Sequence, residues 1–276
     1  MIHTTATYKQ TTMQKLLGRN YKWWYLFAHG MKLNTAYRLS TLIWMFGSLL
    51  TFLVTIFVWW VNIQSGSTLI DFKTIFTYYI FGNIISLQNA VQWNLARSIQ
   101  NGKISSKLLN PSNFMAQVII IDCGWNLFPR MVEILLLLLI GSLGAQFIIF
   151  ASIWNFILYI LLGILGYFIS IFISYILGCI AFFIVDVDGV MEINNQLSFV
   201  LSGKALPISI IPLLFGANFL PFAFTFYHPM QIYLGKYDFN QTLMVFAGGI
   251  AWCVVLYFLA KWVFKMGLKK NEAVGL

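Results

Sequence analysis

A bundle of membrane-spanning α-helices, all-α and polytopic, is the fold class this sequence predicts, and three observations predict it. Of 276 residues, 60% are hydrophobic and 9% charged, with a mean hydropathy of +0.80; a soluble domain carries about a quarter charged residues. The apolar residues form long unbroken runs, not the alternating ten-residue segments of a transmembrane barrel. The charge is one-sided, 17 basic against 8 acidic residues for a net +9, and it is concentrated in short connections. So apolar a chain is not disordered. Its length gives room for roughly six helices of about 20 residues, forming one domain over 1–276.

Residues 1–38 carry Lys9, Lys15, Arg19, Lys22, Lys32 and Arg38 and no acid. No apolar core of the signal-peptide kind lies in the first 30. Residues 21–27 read YKWWYLF, which places rings at headgroup level and an ammonium in water. This segment reads as an amphipathic helix on the inner leaflet. No charge occurs from 39 to 70, and span 1 is expected at 40–62, long enough for a hydrocarbon core of ~30 Å.

Span 2, at 74–95, is the least apolar, with Asn83, Ser86, Gln88, Asn89, Gln92 and Asn94. They share no single stripe. Amides in lipid have no hydrogen-bond partner, so this helix is expected inside protein or beside a polar cavity. Asn83, Ser86, Asn89 and Gln92 are the candidates for lining a route. The competing reading is bonding between helices, at about 0.6 kcal/mol per contact. A basic loop follows at 97–113, with Arg97, Lys103 and Lys107 and no acid.

Span 3 runs from near 118 to 141–144. Asp122, Asn126, Arg130 and Glu133 fall on one face at helical spacing, and Arg130 and Glu133 can pair at i, i+3. A lone charge in the core costs at least ~2.5 kcal/mol, so pairing or a wet location is expected. Two readings follow, a charged element near the cytoplasmic mouth or a helix extending below the membrane with a solvated face. The position in the first half of the span favours the solvated face.

Span 4, about 148–185, exceeds what a bilayer requires. Gly166, Ser170, Ser174 and Gly178 recur every four residues and permit close helix approach, within one subunit rather than at a dimer seam. A polar turn at 186–192 closes it. Span 5 starts near Asn195. Residues 203–240 contain Pro207, Pro212, Pro221 and Pro229, which forbid one straight helix. Two short re-entrant helices joined near 216–221 are expected there, with Gly203 at their entry. Span 6, about 241–262, ends in a lysine-rich tail. Basic loops face the cytoplasm, so six spans with both termini inside satisfy the N-terminal segment, the 97–113 loop and the tail together. Orientation accounts for the net charge without a nucleic-acid partner.

No catalytic constellation appears. The cysteines Cys123, Cys179 and Cys253 lie far apart without neighbouring histidines and read as small buried residues, not as a disulfide or metal site. No phosphate-binding Gly-rich loop is present, nor a zincin motif or nucleophile elbow.

Several stretches resemble the permease subunits of type-2 ABC exporters, in the six-span branch often encoded as paired permeases beside a separate ATPase. These are Ala36-Tyr37-Arg38 and the loop SIQNGKISSKLLNPSN with Gly102, Ile104, Leu108, Leu109 and Pro111. They continue with AFFIVDVDG at 181–189, then LSGKALPISIIP and LPFAFTFYHPMQIYLGK, and last the tail WVFKMGLKKNEAVG. Asn101 stands where the family often has an acid. The resemblance implies that Gly102, Lys103, Ile104, Lys107, Leu108, Leu109 and Pro111 form the element that couples to an ATPase. It implies a dimer with itself or a sister permease, two copies of an ABC ATPase carrying ATP and Mg, no cofactor on this chain, and spans 1, 2 and 5 along the route. The expected function is movement of a lipid, peptide or amphipathic small molecule across a bacterial cytoplasmic membrane. A membrane-embedded lipid-modifying enzyme and a passive channel are the alternatives. The first needs a nucleophile–base pair, which the residues do not supply; the second would conduct without ATP.

Overall fold

The computed structural model describes residues 21–274 apart from 37, 67–69, 87–88, 110–112 and 209–211, and it leaves the side chains of 35–38, 212–215 and 271–274 undescribed. Among the described residues every regular element is helical. In chain order the α-helices are α1 (Tyr21–Ala36), α2 (Arg38–Gln64), α3 (Phe72–Ile85), α4 (Val91–Gln100), α5 (Ile104–Leu108), α6 (Phe114–Leu143), α7 (Ile153–Cys179), α8 (Asp188–Leu201), α9 (Tyr227–Tyr233) and α10 (Phe239–Val274).

Among the described residues, four helical stretches are long and apolar enough to cross a membrane: Leu39–Gln64, Phe114–Leu143, Ile153–Phe182 and Phe239–Lys270. The starts of the last three are explicit in the sequence. The Asn113 side chain accepts the Ala116 N–H at 3.4 Å and the Ser152 side chain the Asn155 N–H at 3.2 Å. Before α10, Asp238 and Gln241 form a reciprocal capping box. The Gln241 N–H donates to Asp238 Oδ1 at 2.7 Å and the Asp238 N–H to Gln241 Oε1 at 3.1 Å, satisfying donors that a helix start leaves orphaned.

Two expectations need correction. Span 2 is not one helix over 74–95 but two pieces, α3 and α4, because the chain leaves helical geometry at Ser86 (φ −74°, ψ 82°) and re-enters after Ala90 (φ −110°, ψ 15°). Span 5 does not begin near Asn195. Its helix α8 begins at Asp188, so Glu192 is helical, and it stops at Leu201 after 14 residues.

The two largest core clusters among the described residues lie at opposite ends of the bundle, with smaller ones around Leu162, Phe224 and Leu256 and around Ala96, Val187 and Met191. One joins Tyr78, Tyr79, Tyr159, Phe226, Tyr227 and Tyr233. The other gathers Leu95, Ile104, Phe114, Tyr175, Phe182 and Ala260. The second end therefore collects residues 101–109 of the basic connection, the foot of α7 and the last turns of α10, where Lys270 Nζ donates to the Phe183 carbonyl at 3.4 Å. Helix α1 joins this end by crossing α6 backbone to backbone. A methyl on Gly30 would overlap Ile121 O, and one on Gly124 would overlap Phe27 O. The 203–240 segment packs at the other end.

Candidate functional site

The break between α3 and α4 creates a problem that its neighbours solve. A helix end leaves carbonyls unpaired, and hydrocarbon offers no water to pair them. Arg130 of α6 reaches across. Its Nη2 donates to the carbonyls of Asn83 at 2.6 Å, Ile84 at 3.3 Å and Ser86 at 2.5 Å. Its Nη1 donates to Glu133 Oε2 at 2.7 Å, and Glu133 Oε1 accepts from Ser48 Oγ of α2 at 3.2 Å. At the start of α4 the Ala90 N–H donates to Asp122 Oδ1 at 2.9 Å. Asn126 Nδ2 donates to Asp122 Oδ2 at 3.0 Å. A guanidinium thus closes the carbonyl end of α3 and a carboxylate the N–H end of α4, the signs that the helix dipoles favour.

The solvated-face reading of span 3 is therefore wrong. Asp122 is only 1% exposed, and the whole polar face turns toward the broken helix. The i, i+3 pairing of Arg130 with Glu133 is present. The purpose of Arg130 was missed, because its partners are backbone carbonyls 44 to 47 positions earlier.

Three polar side chains of span 2 find partners within the chain, and Gln88 lies outside the described residues. Asn83 Nδ2 donates to the Tyr79 carbonyl at 2.7 Å, Asn89 Nδ2 to Ser170 Oγ of α7 at 2.8 Å, and Gln92 Nε2 to Asn195 Oδ1 of α8 at 3.0 Å. Ser86 is buried. Asn89 Oδ1 and Gln92 Oε1 have no hydrogen-bond partner among the described residues. The small-residue stripe of α7 receives these elements. Gly178 faces Leu95 and the Gln92 carbonyl, Ser170 holds Asn89, Ser174 is buried, and Gly166 abuts the Phe224 carbonyl.

The connection after α4 starts with Gly102 at φ +66°, whose N–H closes onto the Ile99 carbonyl at 3.0 Å, a glycine C-cap. Ile104 is buried and anchors α5. Lys107 Nζ donates to Ser98 Oγ at 2.7 Å, and burial first, then Lys103, holds its ammonium below the usual lysine range. Lys103 is exposed. Leu108 and Leu109 point away from the bundle, Leu109 86% exposed. Pro111 lies outside the described residues.

At the other end, Gly203 takes φ +86° and the chain folds back. The Tyr78 hydroxyl donates to the Gly203 carbonyl at 2.9 Å, the Tyr79 hydroxyl to Ala205 O at 3.2 Å, and Trp59 Nε1 to the Tyr79 hydroxyl at 3.0 Å. Pro207, Pro221 and Pro229 are buried, and Pro212 opens a 3₁₀ run to Phe219. A second 3₁₀ run, Pro221–Thr225, and α9 follow. The turn falls at Leu220, inside the expected 216–221, and among the described residues three short pieces follow Pro212 where two helices were expected. His228 is held between the Tyr237 hydroxyl at 2.9 Å and the Asn218 carbonyl at 2.8 Å. A cavity of about 430 Å³ separates this segment from α10.

Among the described residues no three His, Cys, Asp or Glu side chains gather as a metal site. The sequence matches none of the curated proteins. Residues 42–275 match the family described as ABC-2 family transporter protein, and the chain, with its several helices long and apolar enough to span a bilayer, belongs to that family of multi-pass membrane transport proteins.

Proposed function

We propose that this chain is the permease subunit of an ATP-driven exporter in a bacterial cytoplasmic membrane. It works as a dimer with itself or a sister permease, bound to two copies of an ABC ATPase that carry ATP and Mg. Six crossings with both termini in the cytoplasm follow when α3 and α4 are counted as one crossing and α8 with the folded-back segment as another. The basic residues gathered at one end of the bundle support that orientation. Asn83, Ser86, Asn89 and Gln92 border the route in this reading, and its low charge suits a lipid, a peptide or an amphipathic small molecule.

The observation that carries the proposal is the shape of the connection over residues 101–109. Ile104 roots α5 in the core while Leu108 and Leu109 project from the same short helix end. A small apolar knob beside lysines, held on a rigid root, fits a groove on a partner protein. The test is copurification with the ATPase encoded beside this gene, in mild detergent. Replacing Leu108 and Leu109 by Asp should leave membrane insertion unchanged and abolish retention of the ATPase. A carboxylate buried in an apolar groove costs several kcal/mol, orders of magnitude in affinity. Undiminished retention by the double variant would mean that the loop is not the coupling element.

A further inference from the structure

Lys204 follows the left-handed Gly203, and its backbone is held on both sides. The Tyr78 hydroxyl donates to the carbonyl before it, that of Gly203, and the Tyr79 hydroxyl to the carbonyl after it, that of Ala205. The Ala205 N–H returns to the Phe199 carbonyl at 3.0 Å. The side chain therefore leaves from a fixed point. Its ammonium lies 5.8 Å from the centre of the Phe226 ring, a ring fully buried against α3 where Gly82 leaves it room. The charge thus turns to the bundle instead of snorkelling to an interface. Helix α8 has 14 residues and rises about 21 Å, short of a hydrocarbon core of ~30 Å. In the six-crossing reading Lys204 stands at membrane depth.

A charge at that depth needs a partner, and the chain leaves this one without an acid of its own. Arg130 and Glu133 are the charges that act on it, and Glu133 is already engaged. One of its oxygens holds Arg130 at 2.7 Å and the other accepts from Ser48 at 3.2 Å. Among the described residues no carboxylate stands within ion-pair distance of Lys204. Two cations against one anion leave an excess of positive charge. Donors are in excess as well, since Arg130 Nε and the Lys204 ammonium have no acceptor among the described residues. Asn83, which gives its carbonyl to Arg130, borders the proposed route, so the excess lies beside it. We infer that Lys204 is the headgroup-binding residue of that route, and that the substrate is an amphiphile with an anionic oxygen headgroup: a phosphate, sulfonate or carboxylate. Such a headgroup brings the acceptors and the negative charge that Lys204, Arg130 and Glu133 together lack. Leu197 and Val200, exposed on the helix that leads to Lys204, suit an apolar tail and not a hydrated ion.

This assignment deepens the permease reading and rests on it, and the experiment separates the two. Full-length protein is immobilised in dodecyl maltoside, and binding of radiolabelled dodecyl phosphate is read by scintillation proximity against unlabelled competitors. Binding should saturate and be displaced by dodecyl sulfonate. Dodecyltrimethylammonium and inorganic phosphate should compete more weakly, by about tenfold or more. Lys204→Gln should weaken binding by about the same factor, and Lys204→Arg, which keeps the charge, should retain it. Equal competition by the cation, or undiminished binding by folded Lys204→Gln, overturns the headgroup site. Equal competition by inorganic phosphate makes it a site for a free anion and overturns the amphiphile. Displacement by phosphatidylglycerol as effective as by dodecyl phosphate makes a resident lipid the occupant and overturns the substrate assignment. A lysine needed only to pack on Phe226 would lower the thermal midpoint of Lys204→Gln and leave its ranking of competitors unchanged, which also overturns the site. Copurification tests the reading beneath. Anion binding by a chain that retains no ATPase removes the permease reading and the substrate assignment with it. A chain that retains its ATPase and shows no preference for anions removes the site alone.

Discussion

Two helices in this bundle stop short, and they are finished in different ways. Helix α3 ends at Ile85 and the chain restarts as α4, so a carbonyl end and an N–H end meet within a few residues. Helix α8 ends at Leu201 and the chain turns away, so only a carbonyl end needs closing. The first site uses ions, Arg130 and Asp122. The second uses a left-handed glycine, whose N–H returns to the Val200 carbonyl at 3.2 Å, and the neutral hydroxyls of Tyr78 and Tyr79. Two facing dipole ends of opposite sign attract two side chains of opposite sign. A single end that can curl back on itself needs none.

The contrast predicts unequal costs. Replacing Arg130 by Leu should be the most damaging change. It strips three carbonyls of their donor and leaves Glu133 without its cation, a loss of roughly 3–5 kcal/mol for a broken buried pair. Thermal unfolding in detergent should show a large fall in midpoint, and the Arg130→Leu/Glu133→Leu double variant should recover part of it. Full stability of Arg130→Leu alone would show that the break needs no ion. Gly203→Ala should cost less, about 1–2 kcal/mol for a side chain forced into left-handed backbone, plus crowding where its methyl would sit 2.9 Å from the Tyr78 hydroxyl. Combining it with Tyr78→Phe tests the crowding, because a shared contact makes the two changes non-additive. Tyr78→Phe alone should be mildest, about 1 kcal/mol for one neutral hydrogen bond. A loss from Tyr78→Phe as large as that from Arg130→Leu would erase the distinction between the two ends.

Much of this arrangement is legible in the residues. The stripe Asp122, Asn126, Arg130, Glu133 announces itself by spacing, the four prolines exclude a straight helix after Gly203, and the uncharged run from 39 to 70 can only be a span. The break in span 2 is different. Residues 86–90 read SLQNA, without the proline or glycine that usually marks an interruption, and polar side chains there are equally consistent with an intact helix facing protein. What interrupts it is tertiary, a guanidinium from another helix that makes loose carbonyls tolerable. For the same reason span 3 looked solvated, since its charges are matched by backbone groups that no side-chain pattern reveals. The start of α8 was misplaced because Asp188 and Glu192 suggest a loop, whereas an acid in a first turn is also what a helix start favours.

The Arg130 contacts also bear on how the chain enters the membrane. In the six-crossing reading residues 72–100 are the least apolar crossing, and when they leave the ribosome nothing yet covers the carbonyls of Asn83, Ile84 and Ser86. The group that covers them, Arg130, is 44 residues behind Ser86, roughly two to nine seconds later at 5–20 residues per second. Until it arrives, lipid is the worse environment for that break. In the six-crossing reading, spans 2 and 3 are then expected to leave the translocon together, the later helix carrying the guanidinium that covers the loose carbonyls of the earlier one.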